Sequence, residues 1–318
     1  MKSLLVLLEG SGRIRRVFAV LLVLSFVQAA AAGSAAAQLR AILARPQLTV
    51  MPCCYDGLTA RLVEDAGFDL TFMTGFGVSA VHGLPDTGLI SVEEMVSSAS
   101  NIVSSLKRIP CIGDGDTGYG NEVNVKRTVQ RYAQVGLAGI MLEDQVAPKR
   151  CGHTKGKQVV DRDEACRRIK AAVQARDAGA DIVILARTDA RALLGLDEAI
   201  ERCRLFRELG ADWTFLEAPE SVEEMREYCS RVSGPKLANM LEGGKTPILP
   251  PKELEAMGYT VAAYPLTLLS AATRAYQDAL LLLKSGEDPQ RLLVPFKEVQ
   301  RVVGFDEYYR TLEGFGKE

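Results

Sequence analysis

The fold is decided by residues 110–144, PCIGDGDTGYGNEVNVKRTVQRYAQVGLAGIMLED. The stretch opens with a short apolar run at 110–114 and closes with another at 139–143. Between them lie a turn rich in glycine and aspartate and an amphipathic segment at 123–135. Short apolar runs bounded by turn residues predict buried strands, and the amphipathic segment predicts the helix that joins two parallel strands.

The same strand and helix unit recurs along the chain from residue 48 onward, at spacings of roughly 25 to 35 residues. The predicted strands are 48–52, 70–74, 110–114, 139–143, 182–187, 213–217, 236–239 and 260–263. The predicted helices are 123–135, 162–178, 196–209 and 222–231, with Asp161 and Asp197 as N-caps, followed by an apolar helix from Pro265 to about 283. Eight such units predict a (β/α)8 barrel with a parallel sheet, formed as one domain by residues 38–318 with a helical tail at 287–318.

Composition limits the classes of partner. The chain has 318 residues, a net charge of -2, 47% hydrophobic and 25% charged residues. Without a basic excess the sequence predicts no nucleic-acid partner, and a small molecule is expected instead. Its seven cysteines form neither a CxxC pair nor a dense disulfide framework.

Residues 1–37 differ in character from the rest. Arg13, Arg15 and Arg16 precede an apolar run at 17–27, and alanines continue to residue 37. This pattern is typical of a signal segment and favours export or organelle targeting, with no stable membrane partner after its removal. A transit peptide and an uncleaved anchor are the alternatives, although the run is shorter than the ~20 residues of a membrane helix.

Six predicted strands end in a polar or charged residue. These residues are Thr74, Asp114, Glu143, Arg187, Glu217 and Asn239. In a (β/α)8 barrel the carboxyl ends of the strands meet at one face, which is where the active site is built. The sequence therefore predicts that these six side chains converge.

The turn after the third predicted strand, Gly113-Asp-Gly-Asp-Thr-Gly-Tyr-Gly120, places alternate carboxylates among glycines. Oxygen ligands suit a hard cation, and magnesium takes only one or two protein carboxylates directly. We predict a Mg²⁺ site, with Mn²⁺ as a possible substitute, in which Asp114 binds the ion and Asp116 and Glu143 act through water. The alternative is a solvated acidic turn, since Asp-Gly is common turn chemistry.

Cys151 lies between charged residues and glycine in Lys149-Arg-Cys-Gly-His153. Nearby cations lower a thiol pKa, so the sequence predicts a reactive cysteine. A nucleophile, a metal ligand and a redox sensor are all compatible with this setting.

Six motifs, in this order, resemble the phosphoenolpyruvate mutase and isocitrate lyase superfamily over residues 45–285. They are 113–120, LEDQ at 142–145, PKRCGH at 148–153, ARTD at 186–189, EAP at 217–219 and NM at 239–240. The chain is most similar to the small lyases, which include methylisocitrate lyase, dimethylmalate lyase, oxaloacetate acetylhydrolase and petal death protein. Similar sequences are often labelled carboxyvinyl-carboxyphosphonate phosphorylmutase.

The resemblance implies a barrel that swaps its last helix with a partner subunit, usually in a homotetramer built as a dimer of dimers. It also implies a 2-hydroxy or 2-oxo dicarboxylate substrate held on magnesium. The catalytic residues would be Lys149, Cys151, His153 and Arg187. The substrate-binding residues would be Thr74, Gly75, Phe76, Asp86, Gly152, Glu217 and Asn239.

Lyases of the family carry a cysteine in the loop where the mutases and phosphonopyruvate hydrolase place asparagine, and this chain has the cysteine. The implied reaction is retro-aldol or retro-Claisen cleavage with Cys151 as general acid. The alternatives are a phosphonomutase-type isomerase, a 2-oxo acid hydrolase and a barrel that only binds dicarboxylates. A class II aldolase would need a histidine-bound zinc, and the chain has only His82 and His153.

One departure from the family concerns the substrate. Methylisocitrate lyases place an arginine shortly after the Tyr-Pro of the eighth strand, and Tyr264-Pro-Leu-Thr-Leu-Leu-Ser270 contains none. A third substrate carboxylate would then be buried without a partner, which is unfavourable. We therefore expect a dicarboxylate such as a 2-alkylmalate or oxaloacetate.

Overall fold

Eight parallel strands form the centre of the computed structural model, which describes residues 33–154 and 156–316. The strands are β1 Thr49–Cys54, β2 Thr71–Met73, β3 Cys111–Asp114, β4 Gly139–Glu143, β5 Val183–Thr188, β6 Trp213–Leu216, β7 Leu237–Asn239 and β8 Val261–Tyr264. Their order is β6-β5-β4-β3-β2-β1-β8-β7. A parallel bridge between Thr214 and Lys236 joins β6 to β7, so the barrel is nearly closed. The predicted (β/α)8 fold is confirmed.

Helices follow the strands around the outside of the barrel. They are α1 Ala35–Leu43, α2 Gly57–Asp65, α3 Gly75–Val81, α4 Val92–Ser105, α5 Glu122–Gln134, α6 Arg162–Asp177, α7 Arg191–Leu194, α8 Leu196–Glu208, α9 Val222–Arg231, α10 Pro251–Met257, α11 Thr267–Ser285, α12 Phe296–Val303 and α13 Phe305–Glu313. The predicted cap at Asp161 is confirmed, because its side chain accepts the Glu164 N–H.

Two helix starts differ from the prediction. Asp197 is not an N-cap, because it is already the second residue of α8. The cap position belongs to Gly195, whose φ of 89° is a left-handed conformation that glycine adopts without steric penalty. The helix predicted to open at Pro265 begins at Thr267.

Side chains alternate between the interior of the barrel and the surrounding helices. On β5, Val183 and Leu185 belong to the inner cluster, whereas Ile184 and Ala186 pack outward against the helices. This two-residue period makes Arg187 the next inward position. On the other strands that lead to the site, the polar residue at the carboxyl end likewise lies two positions after an apolar residue of the inner cluster. The two-residue period of the strands therefore points these polar side chains into the open end of the barrel.

The opposite end of the barrel is closed by α1. This helix buries Ala36, Leu39 and Ile42 against the apolar side chains that fill the interior of the barrel. The predicted targeting segment, residues 1–37, lies outside the described residues except for 33–37, and Ala35–Ala37 already form the first turn of α1. In the described part of the chain, no helix is both long and apolar enough to cross a membrane.

The chain ends in the helical tail that the sequence predicts. Helix α12 lies against α2, where Arg301 Nη1 is 3.0 Å from Asp65 Oδ2 and Arg61 donates to the Val302 carbonyl at 3.2 Å, and α13 is tied to the loop after α4 by an ion pair between Glu307 and Lys107. Leu280 and Leu281 on α11 are 64% and 66% exposed in this single chain. Exchange of the last helix and assembly into a tetramer remain predictions.

Candidate active site

The carboxyl ends of the strands surround one cavity. Of the fourteen predicted site residues, eleven line it: Thr74, Phe76, Asp86, Asp114, Lys149, Cys151, Gly152, His153, Arg187, Glu217 and Asn239. The other three contact this wall from behind. Gly75 N–H donates to Asp114, Asp116 pairs with Lys149, and Glu143 pairs with Arg187. The structure thus brings the six strand-end side chains to one face of the barrel, and the roles predicted for the fourteen residues stay predictions.

The acidic turn after β3 packs against the loop after β2. Asp114 Oδ2 accepts the Gly75 N–H at 3.2 Å, and its Oδ1 accepts the Asp116 N–H at 3.0 Å. A Cβ on Gly75 would lie 2.7 Å from Asp114 Oδ2, so this close approach requires glycine. Burial, followed by the negative charge of Asp116, raises the pKa of Asp114 to about 6.

Lys149 lies between two carboxylates. Its Nζ pairs with Asp86 and is 2.9 Å from Asp116 Oδ1, and all three side chains are buried. Burial opposes the charged amine, but the nearby carboxylates, led by Asp116, hold the pKa of Lys149 well above its ordinary value. Asp86 thus ties the loop after α3 to the loop that carries Cys151.

Arg187 contacts three carboxylates on the opposite side of the site. Its Nε and Nη2 donate to the two oxygens of Asp189 at 2.8 and 3.1 Å. Nη2 is also 3.1 Å from Glu217 Oε2, and Nη1 is 3.4 Å from Glu143 Oε2. The guanidinium lies over the Phe215 ring, with its carbon 5.3 Å from the ring centroid. These contacts fix the plane of the guanidinium.

Cys151 is half-buried and reduced, in a segment that we call the thiol loop (residues 149–153). Its pKa is raised, with burial as the main cause, and the negative charge of Asp86 contributes. The expectation that cationic neighbours lower this pKa is therefore wrong. The reason is geometric: Lys149 directs its charge to two carboxylates, and His153 faces Glu217. The side chain is accordingly a neutral thiol that carries a proton.

His153 connects the thiol loop to two other elements. Its Nδ1 accepts the backbone N–H of Lys245 at 3.0 Å, and its Nε2 lies 3.0 Å from Glu217 Oε1. Because a backbone N–H can only donate, Nδ1 is the unprotonated nitrogen and Nε2–H donates to Glu217. Asn239 Nδ2 lies 3.4 Å from Nε2 of the same ring. His153 thus anchors the thiol loop to the rest of the site.

Two buried residues in the site were missing from the sequence prediction. Asp189 orients Arg187, and Lys157 Nζ donates to Asp189 Oδ1 at 2.7 Å and to the Gly152 carbonyl at 2.6 Å. Asp189 stood within the ARTD motif two residues after Arg187, which was a usable signal. Lys157 follows the thiol loop without a local pattern that predicts its role, because its charged partner Asp189 lies 32 residues further along the chain.

The buried carboxylates of the site are not all neutralised by buried cations. The acids around the cavity, Asp86, Asp114, Asp116, Glu143, Asp189 and Glu217, outnumber the buried cations Lys149, Lys157 and Arg187. Glu143 Oε1 has no hydrogen-bond partner, and burial raises the pKa of Glu143 well above its ordinary value. Among residues 33–154 and 156–316, no three acidic, histidine or cysteine side chains form a ready-made metal cluster.

Comparison with known proteins gives the family. The family model described as phosphoenolpyruvate phosphomutase matches residues 39–283, which is more than half of the chain. The chain belongs to the phosphoenolpyruvate mutase and isocitrate lyase superfamily. A 2,3-dimethylmalate lyase from Eubacterium barkeri is 44% identical over 275 residues, covering 85% of this chain and 94% of that relative.

Solved structures of this superfamily share the whole barrel. A 2,3-dimethylmalate lyase crystal structure gives a TM-score of 0.84 at 40% identity, covering 89% of this chain and 96% of that one. An oxaloacetate acetylhydrolase bound to 3,3-difluorooxalacetate gives 0.82 at 37% identity, covering 90% and 98%. The superfamily relatives named as lyases place the chain among its carbon–carbon lyases.

Proposed function

We propose that the protein cleaves the C2–C3 bond of a 2-hydroxy dicarboxylate of the 2-alkylmalate type, or of oxaloacetate, with magnesium as cofactor and Cys151 as the general acid. The observation that carries the proposal is the position of the Cys151 thiol at a cavity that also contains Arg187 and the carboxylate of Asp114. A general acid must hold a proton before the reaction, and the raised pKa of this thiol meets that requirement.

The residues of the acidic turn fit a magnesium ion. Asp114 would bind it directly, and Asp116 and Glu143 would act through water, with Mn²⁺ able to substitute. Support comes from the unpartnered Oε1 of Glu143, from the all-oxygen donor set and from the excess of carboxylates. When bound, the ion would stabilise negative charge on the C2 oxygen of the substrate.

The cavity walls offer donors for two carboxylates. After β2, the Gly75 N–H donates to the Asp114 carboxylate at 3.2 Å, and Thr74 and Phe76 line the cavity on either side of it. Across the cavity, the Arg187 guanidinium is held in a fixed plane and can donate to a carboxylate or to the C2 oxygen. Lys149, Glu217 and Asn239 also belong to the polar lining.

The remaining wall is apolar and suits an alkyl substituent. Its residues are Phe72, Phe215, Leu237, Leu241, Ala263, Pro265 and Leu266. At the end of β8 this wall contains no cation in the described chain, so a third carboxylate would meet apolar side chains there. This supports a dicarboxylate over a tricarboxylate.

The reaction requires two proton transfers. A base removes the proton of the 2-hydroxyl group, the C2–O bond becomes a carbonyl, and the C2–C3 electron pair moves onto the leaving fragment as an enediolate. The Cys151 thiol then donates its proton to C3, and the proton that the base removed returns through water to the thiolate. For oxaloacetate, water first adds to the C2 carbonyl, and cleavage of the hydrate gives oxalate and acetate.

An isomerase that moves a phosphoryl group between oxygen and carbon is the second candidate. The description of the matching family model, phosphoenolpyruvate phosphomutase, favours it. The cysteine of the thiol loop supports the lyase instead, because C–C cleavage needs a proton donor for the carbon that leaves.

Replacing the acid tests the proposal. Cys151→Ser keeps the size of the side chain but substitutes a hydroxyl, which is a far weaker acid than a thiol. We expect kcat for C–C cleavage to fall by on the order of 10²–10⁴, while calorimetry shows unchanged binding of Mg²⁺ and oxalate. Cys166→Ser, at a half-buried cysteine on α6, is the matched control. Unchanged turnover in Cys151→Ser would exclude Cys151 as the acid.

A further inference from the structure

Lys157 lies behind the active site and does not line its cavity. The side chain is 3% exposed, and its Nζ donates to the Gly152 carbonyl at 2.6 Å and to Asp189 Oδ1 at 2.7 Å. A buried ammonium is unfavourable unless charge and hydrogen bonds compensate it. Here one contact is to an anion and the other is to the backbone beside Cys151.

Asp189 connects Lys157 to Arg187 on the opposite wall of the cavity. It is fully buried, and its Oδ1 is shared between Lys157 Nζ and Arg187 Nη2, while its Oδ2 accepts Arg187 Nε. Although burial opposes its charge, Arg187 and Lys157 hold the pKa of Asp189 below its ordinary value. A continuous path therefore runs from the thiol loop through Lys157 and Asp189 to Arg187.

Gly152 also contacts the side chains of Arg187 and Glu217, so a small shift of its backbone would disturb both. A Cβ on Gly152 would lie 2.4 Å from Arg187 Nη2 and 2.7 Å from Glu217 Cγ, so the loop backbone lies directly on these two side chains. Its carbonyl is held by Lys157, and the following residue, His153, is held by Glu217. The Lys157 bond therefore fixes the Gly152–His153 peptide, one residue beyond Cys151, while the carbonyl of Cys151 itself accepts the Thr154 N–H at 3.0 Å and the Thr154 hydroxyl at 2.8 Å.

We propose that Lys157 is a positioning residue that locks the thiol loop against the Arg187–Asp189 pair, and so fixes where Cys151 delivers its proton. Its effect on catalysis rests on the proposed function. Its effect on the accessibility of Cys151 does not, because that depends only on the contacts described above.

The test replaces Lys157 with methionine, which keeps the length of the side chain and removes its charge and donors. N-ethylmaleimide alkylation of each cysteine in the full chain is followed by peptide mass spectrometry, with Cys166 as internal reference. We expect alkylation of Cys151 to accelerate by about tenfold or more, because its loop loses a charged hydrogen bond. Lys170→Met, at an exposed lysine of α6, is the matched control and should leave the rate unchanged.

Kinetics separate positioning from substrate binding. In Lys157→Met we expect kcat to fall by about tenfold or more while KM changes by less than about threefold. Should the variant not fold, Lys157→Gln, which retains one N–H donor, is measured in the same way. Wild-type alkylation rates at Cys151 in a folded variant would overturn the proposal. A wild-type protein without lyase activity would instead refute the proposed function and leave the alkylation result to judge the role of Lys157.

Discussion

Asp114 shows how one buried carboxylate couples metal binding to pH. Its pKa is raised from 3.8 to about 6 by burial and by Asp116. A group whose pKa is raised on folding favours the fold when protonated, so its contribution is present at low pH and is lost as the pH rises through about 6. At one pKa unit per 1.36 kcal/mol, the ionised carboxylate destabilises the metal-free fold by about 3 kcal/mol.

A bound cation should remove this penalty, and the effect should depend on pH. We expect Mg²⁺ to raise Tm by several degrees at about pH 7.5 and much less at about pH 5, where Asp114 is protonated. Differential scanning calorimetry with and without the ion measures the shift. At about pH 7.5 the metal-free Asp114→Asn variant should be more stable than the metal-free wild type, and Mg²⁺ should no longer raise the Tm of this variant. Equal Mg²⁺ shifts at both pH values in the wild type would count against Asp114 as the ligand.

At the same scale, Cys151 marks the limit of sequence reasoning. The local pattern correctly identified a cysteine in the site, but counting the charges within two residues gave the wrong direction for its pKa. Lys149 and His153 pair with Asp86 and Glu217, which are far away in the chain. Local spacing cannot reveal such partners, because the fold determines which charges cancel.

At the scale of elements, the strands were the predictable part. Their short apolar runs and regular spacing predicted the barrel, and the polar residues at their carboxyl ends, among them Asp114, Glu143 and Arg187, predicted which side chains meet at one face. The loops were less predictable, since their positions depend on contacts between distant segments. Lys157 is the clearest case: it joins the thiol loop to the end of β5 by contacts that no periodicity encodes.

The packing of the thiol loop on β5 and β6 gives a test at this scale. In Gly152→Ala, the added methyl group would meet Arg187 and Glu217 at well below contact distance. We expect kcat/KM to fall by about 100-fold with little loss of overall stability, because displacement by roughly 1 Å is enough to misalign the reacting groups. Gly316→Ala, whose Cβ would have its nearest neighbour at 3.5 Å, is the control. Wild-type kinetics in Gly152→Ala would show that the loop does not close on Arg187 as described.

At the scale of the whole molecule, the apolar face of α11 is the feature that a single chain leaves unexplained. Tyr276, Leu280, Leu281 and Leu283 are each at least 60% exposed. An exposed apolar surface of this kind is typical of a subunit interface. We therefore propose that this face lies in a subunit interface, and the homotetramer with an exchanged last helix stays a prediction.

Light scattering coupled to size-exclusion chromatography tests the assembly. We expect the wild-type mass to be four times that of the chain present. Leu280→Glu combined with Leu281→Glu should give smaller species, because charged groups cannot be buried unpaired in an interface. Val123→Glu, at a 73% exposed valine of α5, is the control for adding charge at an exposed apolar position. A monomeric wild-type protein at micromolar concentration would contradict the prediction.

The most direct test of the central claim is product analysis by NMR after incubation of the full chain with Mg²⁺ and one substrate at a time. The panel is 2,3-dimethylmalate, citramalate, oxaloacetate, methylisocitrate, isocitrate and phosphonopyruvate. We expect C2–C3 cleavage of a dicarboxylate, such as 2,3-dimethylmalate to pyruvate and propionate, with loss of activity on chelation and much slower cleavage of the tricarboxylates. Conversion of phosphonopyruvate to phosphoenolpyruvate, with every dicarboxylate left intact, would contradict the account.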